Sequence, residues 1–295
     1  MKRVLLLSLL SLCSYAQTSL DLACSQIKKP IIRIASNNLI MGSKNGLIKS
    51  FNLSNKSLIK EFSLNIKVND FEIMGENLWV LSNRELHKVD LELGKVIESF
   101  PTSYNDYQDA TKYEIAKAIT KKDHLLFIAN GERSLTVFDT QLLKLVDEKI
   151  FDLPQKGKHR SWATGLSIHN GKIFVGVDNI TYNFSNKTRA LEGIAIYDLE
   201  TLKRDHIVTI RQNLEAYHEP RLFTYKGSII SNNLFLYFFN DAKKLLTQKK
   251  ITPQRRLYKF DSGEPVGSLM PYGNSFLGCF SNQSRSKTVF SKQEI

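Results

Sequence analysis

The stretch "GIAIYDLETLKRDHIVTI", Gly193 to Ile210, reads as strand, turn, strand. An alternating apolar run ends at Tyr197, a polar corner occupies Asp198 to Thr201, and a second extended run follows. Nearly the same phrase recurs as "SLTVFDTQLLKLVDEKI" (Ser134 to Ile150) and as "ELHKVDLELGKVIESF" (Glu85 to Phe100). Each corner carries an aspartate: Asp90, Asp139, Asp198. That side chain suits a tight turn because it accepts hydrogen bonds from backbone N–H groups just ahead of it.

Working outward, an apolar strand and a polar loop precede each hairpin. Copies begin at Asn37, Glu76, Asp123, Asn170, Lys226 and Gly273, and each follows a further short extended run such as "PIIRIAS", "VNDFEIMG" or "PVGSLMPY". A unit is therefore four strands, repeated with a period of roughly 40 to 50 residues, the pattern of a propeller blade. Helical periodicity is scarce; only Asp106 to Ile119 competes, and its second half is also the first strand of a copy. One twisted four-stranded sheet cannot bury both faces alone, whereas sheets stacked around an axis bury them against each other. The expectation is all-β: a six-bladed β-propeller, with seven blades left open because the fourth unit is long. The last copy stops after its third strand, so Ser19 to Ile27 is expected to join the last blade as its outer strand and close the ring.

The third copy resembles the YVTN-type, quinoprotein-like β-propeller repeat. Phe127-Ile128-Ala129-Asn130 stands at the tetrapeptide and Val137-Phe138-Asp139-Thr140 at its downstream V-[IF]-D-T step. "KIFVGVDN" and "AIYDLETLKRDHIVTI" match more loosely. The resemblance implies a fold and brings no catalytic residues, since such repeats serve many functions. The tryptophan-rich docking motif of quinoprotein dehydrogenases is missing, the chain having two Trp, Trp79 and Trp162. No cofactor is expected.

The 295-residue chain is 42% hydrophobic and 24% charged, within the range of folded globular proteins. Its start, "MKRVLLLSLLSLCSYAQ", has a basic head, a short apolar run and small residues before Ala16, which reads as a signal peptide over 1–16. Residues 17–295 read as one domain. A periplasmic or secreted bacterial location follows. Lipid anchoring through Cys13 fits poorly, because Leu12 stands where a small residue belongs. No later segment is long and apolar enough to span a bilayer. The formal charge of +12 becomes +10 without Lys2 and Arg3. Its Lys and Arg are scattered, so no nucleic acid partner is expected. Cys24 and Cys279 remain after cleavage. In an oxidising compartment they are disulfide candidates, two buried thiols being the alternative. Placed on an outer and a second strand, they would not be neighbours.

The connections between copies are polar and aromatic: "PTSYNDYQDATKY" (Pro101 to Tyr113), "PQKGKHRSW" (Pro154 to Trp162), "RQNLEAYHEPR" (Arg211 to Arg221) and "TPQRRLY" (Thr252 to Tyr258). The loop Asp178 to Gly193 is also swollen. All five are expected on one face, bringing His159, Arg160, Trp162, Tyr217, His218, Glu219, Arg221, Arg255 and Arg256 around one cavity. His87, His124, His169 and His206 are assigned no role. The expected function is a binding platform for a partner protein, peptide or envelope polymer, which Arg and aromatic enrichment suits. The alternative is a lyase or hydrolase acting on an anionic substrate at the channel mouth. Arg160, Arg221 and Arg255 would then clamp the anion, and His159, His218 or Glu219 would move protons. No short-spaced His or Cys motif supports a metal, and no nucleophile elbow or phosphate loop is present.

Overall fold

The computed structural model describes residues 19–27, 30–104, 116–131, 134–151, 155–156, 159–160, 162–178, 189–216, 221–232, 236–239, 245–251, 254–256, 264–282 and 287–294. Helix α1 (Ser19–Gln26) comes first. The first sheet is β1 (Ile31–Ala35), β2 (Asn38–Gly42), β3 (Leu47–Asn52) and β4 (Leu58–Ser63), adjacent in that order. The second is β5 (Asp70–Met74), β6 (Asn77–Leu81), β7 (Glu85–Asp90) and β8 (Lys95–Pro101), and the third β9 (Ala118–Lys122), β10 (Leu125–Asn130), β11 (Ser134–Asp139) and β12 (Lys144–Ile150). A hairpin of β13 (Gln155–Lys156) and β14 (His159–Arg160) stands apart. The fourth sheet holds β15 (Trp162–His169), β16 (Lys172–Asp178), β17 (Arg189–Asp198) and β18 (Arg204–Ala216). The fifth holds β19 (Arg221–Tyr225), β20 (Ser228–Asn232) and β21 (Leu236–Phe239). Next in the chain, β22 (Lys250–Ile251) pairs in parallel with β18, and β23 (Gln254–Arg256) completes the fifth sheet. In the last sheet β24 (Glu264–Pro265) and β25 (Met270–Tyr272) pair with successive parts of β26 (Ser275–Asn282), and β27 (Lys287–Glu294) pairs along its whole length.

The turns obey one chemical rule. The corner side chain accepts from the two N–H groups two and three residues on. Asp90 Oδ1 takes Glu92 and Leu93, both at 2.7 Å; Asp139 Oδ1 takes Gln141 and Leu142 at 2.8 and 2.9 Å; Asp198 Oδ1 takes Glu200 and Thr201 at 3.1 and 2.9 Å. In the first copy Asn52 Oδ1 does the same to Ser54 and Asn55, at 2.9 and 3.2 Å. These backbone donors hold the Asp139 and Asp198 carboxyls below the ordinary carboxylate range. Four residues after each corner the chain turns left-handed, at Lys56, Gly94, Leu143 and Leu202. A bulge one or two residues before each corner aims it, between Ser50/Phe51, Lys88/Val89, Val137/Phe138 and Ile196/Tyr197.

The resembling motif is thereby explained. Asn130 is fully buried and donates to Thr102 O at 2.8 Å, tying the third sheet to the connection that leaves β8. Thr140 donates to His124 O from its backbone N (3.0 Å) and from Oγ1 (2.7 Å), joining the two hairpin turns of one sheet.

Buried side chains fill the space between successive sheets. Ile31, Ile40 and Ile48 of the first sheet pack with Phe71, Leu78 and Val80 of the second. Trp79 meets Phe138 of the third at 5.3 Å between ring centroids. Ala129 and Leu135 of the third pack with Ala163, Val175 and Ala195 of the fourth.

Three expectations are corrected. The expected six blades, or seven, are not what forms: among the described residues there are five four-stranded blades, and the fourth copy's sheet has five strands because the end of the fifth copy, Lys250–Ile251, lies beside β18. Ser19 to Ile27 adds no strand to the last sheet, because it is helical. Leu20, Ala23, Cys24 and Ile27 fall on one helical face, and that stripe packs between Met41 and Phe51 of the first sheet and Leu277 and Phe290 of the last. Within "TPQRRLY" the described residues Gln254–Arg256 are strand: Arg255 and Arg256 pair with Tyr237 and Leu236 at the outer edge of the fifth sheet. In the same way Arg211 to Ala216 continues β18.

The helix also settles the cysteines. Lying against β26 and β27, it brings Cys24 to Cys279 with a Cα–Cα distance of 5.5 Å, and the two are bridged. Asp21 Oδ1 accepts from Phe290 N at 2.8 Å. The first and last sheets meet directly as well: Ile32 N donates to Ser268 Oγ at 2.6 Å, and Ser268 N to Pro30 O at 2.9 Å. Gly267 makes this approach possible. Its φ is +93°, and a Cβ there would sit 2.4 Å from Pro30 O.

Candidate functional site

Strands β1, β5, β9, β15, β19 and β25 line a common cavity of about 220 Å³. The first five are the first strands of their sheets, and β25 follows the two-residue β24 along the same side of β26, so the sheets radiate from this axis. First strands are short and alternate, which sends every second side chain towards a neighbour or the axis.

The wall is chemically divided. Arg33, Asp70, Glu72 and Lys121 form a charged half on β1, β5 and β9. Arg33 Nη2 donates to Asp70 Oδ1 at 2.7 Å, Nε to Glu72 Oε1 at 2.9 Å and Nη1 to Ile32 O at 3.0 Å. Its guanidinium lies 5.7 Å from the Phe71 ring centroid. Asp70 Oδ1 also accepts from Phe71 N at 2.8 Å. Lys121 Nζ donates to Ile73 O. Burial works against the Arg33 charge, but Asp70 and Glu72 more than offset it and hold the guanidinium above its ordinary value. Burial pushes the Glu72 carboxyl up, against the attraction of Arg33. Asp70 adds to that rise and Lys121 opposes it. The other half, on β15, β19, β25 and the residues leading into β25, is uncharged among the described residues: Leu166, Leu222 and Met270 with the hydroxyls of Ser167, Thr224 and Ser268. Ser167 Oγ and Thr224 Oγ1 satisfy each other at 2.7 Å.

The residues singled out from sequence are distributed otherwise. Trp162 and Arg221 begin β15 and β19, which are neighbouring strands of the axis. Trp162 is half-buried. His159 and Arg160 lie just upstream on β14, with Lys156 opposite His159 and Gln155 opposite Arg160. Arg255 and Arg256, on the outermost strand of the fifth sheet, stand three strand spacings from β19, roughly 14 Å away. Tyr217, His218 and Glu219 lie outside the described residues, as do most of Pro101 to Tyr113 and of Asp178 to Gly193.

The charged axial set was not among those residues. Its signal was present: an arginine in the middle of "PIIRIAS" and two acids at alternate positions of "NDFEIMG" are costly in a buried strand unless they meet. Only the stacking of sheets shows that they do.

No protein-family model matches the chain, and no curated protein sequence matches it. Among solved structures, one chain of a mitotic checkpoint complex superposes with a TM-score of 0.55 at 12% identity, over 89% of this chain and 73% of that one. The Pan2 WD40 domain of Neurospora crassa gives 0.50 at 11%, over 90% and 89%. BamB of Moraxella catarrhalis gives 0.49 at 12%, over 88% and 73%. At such identities the likeness is one of fold, and WD40 domains are propellers of four-stranded blades. With sheets radiating from one axial cavity, the chain is an all-β protein of the β-propeller fold.

Proposed function

We propose that this protein is exported and acts as a binding platform, holding a partner protein or peptide on the face that carries its long connections. The observation that carries this reading is an arm. Strands β17 and β18 stay paired beyond the sheet, from Gly193 opposite Thr209 out to Arg189 opposite Ala216. A paired arm projects recognition groups at low entropic cost, because its backbone is already ordered. At the opposite end of the sheets the connections are short hairpin turns, such as Ser36–Asn37 and Asn170–Gly171, which offer little surface. The signal-like start and the Cys24–Cys279 bridge support an oxidising compartment. The similar chain belongs to a mitotic checkpoint complex, a setting that agrees with a platform role.

The test is capture from envelope extract by the immobilised mature protein and by a variant in which a short Asn-Gly turn joins Asp178 to Gly193. The variant should keep the parent's melting temperature and lose the captured partner. Equal recovery by both proteins would end the reading.

A further inference from the structure

The axial cavity has a chemistry of its own, independent of the loop-bearing face. Glu72 Oε1 accepts from Arg33. Among the described residues its other carboxyl oxygen takes no hydrogen bond, yet it is not sealed in the core, because Glu72 lines the cavity. On the same wall the Lys121 ammonium spends one donor on Ile73 O and has two more to offer. One open acceptor with negative character and one open cationic donor therefore share the polar half. Across from them lie Leu166, Leu222 and Met270.

We propose that this cavity binds a small zwitterion of the α-amino-acid type, its ammonium on Glu72, its carboxylate on Lys121 and its apolar remainder against Leu166, Leu222 and Met270. Charge balance is the first argument. Arg33 and Lys121 face Asp70 and Glu72, so a guest with a net charge upsets a balanced wall while a dipolar one does not. Size is the second. About 220 Å³ lies below the roughly 300–1,000 Å³ of sites for drug-sized ligands, so the guest has few heavy atoms. The wall is the third. Among the described residues it contains no aromatic side chain on which a sugar ring could stack, and its uncharged half suits a short aliphatic group. Burial, which raises the Glu72 carboxyl, also means that a ligand ammonium arriving there meets little competing water.

The experiment is calorimetric titration of the mature protein with L-leucine, isovalerate, isoamylamine and glucose as probes. L-leucine should bind, with the two singly charged analogues and glucose at least tenfold weaker. Lys121→Met and Glu72→Gln should each weaken leucine at least tenfold, while Lys122→Met, whose side chain is not in the wall, should not. Lys121 is exposed and its replacement leaves the Arg33 pairs in place, so that variant remains decisive if Glu72→Gln does not fold. Absence of heat with leucine at millimolar concentration, equal binding of all four probes, or unchanged affinity in Lys121→Met would each overturn the proposal.

Discussion

His87 shows how a single side chain can set pH behaviour. It is buried on β7, with Nδ1 2.7 Å from Ser99 Oγ and Nε2 3.0 Å from Ser82 Oγ. Two hydroxyls satisfy a neutral imidazole without a charge, and burial lowers the ring's affinity for a proton, against the pull of Glu85 at 3.7 Å. The folded pKa thus lies below the unfolded one, near 6.5. Above that value neither state holds the proton and stability is full. As pH falls through it, the unfolded chain takes a proton that the folded one refuses, so stability is lost. Melting temperature should drop between pH 7.5 and pH 5, and more steeply in the parent than in His87→Gln. Comparing the two separates His87 from Glu72, whose raised pKa acts with the opposite sign. Parallel curves would show that His87 is not the sensor. Sequence placed this histidine in a strand but could not reveal its serine partners, since Ser82 and Ser99 are brought to it by strand pairing across the second sheet.

Among the elements, helix α1 differs most from expectation. The gap in the last copy predicts a strand over Ser19 to Ile27, yet Leu20, Ala23, Cys24 and Ile27 carry the i, i+3, i+4, i+7 spacing of a helix face. The helix needs no strand partner: it buries one stripe between two sheets, and the Cys24–Cys279 bridge anchors it across 255 residues of chain. A crosslink closing so long a loop restricts the unfolded chain and is worth about 5.5 kcal/mol in the chain-entropy model. Replacing both cysteines by serine should shift the urea midpoint down by a corresponding amount, as should reductant on the parent but not on the variant. An unchanged midpoint would mean that α1 packing alone holds this end.

At the scale of the molecule, Arg33 joins the first sheet to the second through Asp70 and Glu72. Removing one partner of a buried ion cluster leaves the others uncompensated, typically at 3–5 kcal/mol. Arg33→Met should therefore destabilise the fold by roughly that much in urea titration. Arg33→Met combined with Asp70→Asn and Glu72→Gln should recover much of the loss. If the single and triple variants were equally unstable, packing around Phe71 and not charge would be the cause.

The strands, the Asp corners and the repeat were determined by the sequence alone. Alternation of side chains and turn hydrogen bonding act over a few residues, so they are written locally in every copy. Asn52, Asp90, Asp139 and Asp198 do the same work whatever surrounds them. The fifth strand beside β18, the helix in place of a strand, the path of Arg255 and Arg256 and the meeting of Arg33 with Glu72 were decided only by tertiary structure. Each depends on which groups from distant parts of the chain compete for one edge or one cavity, a choice made by burial and charge pairing in three dimensions.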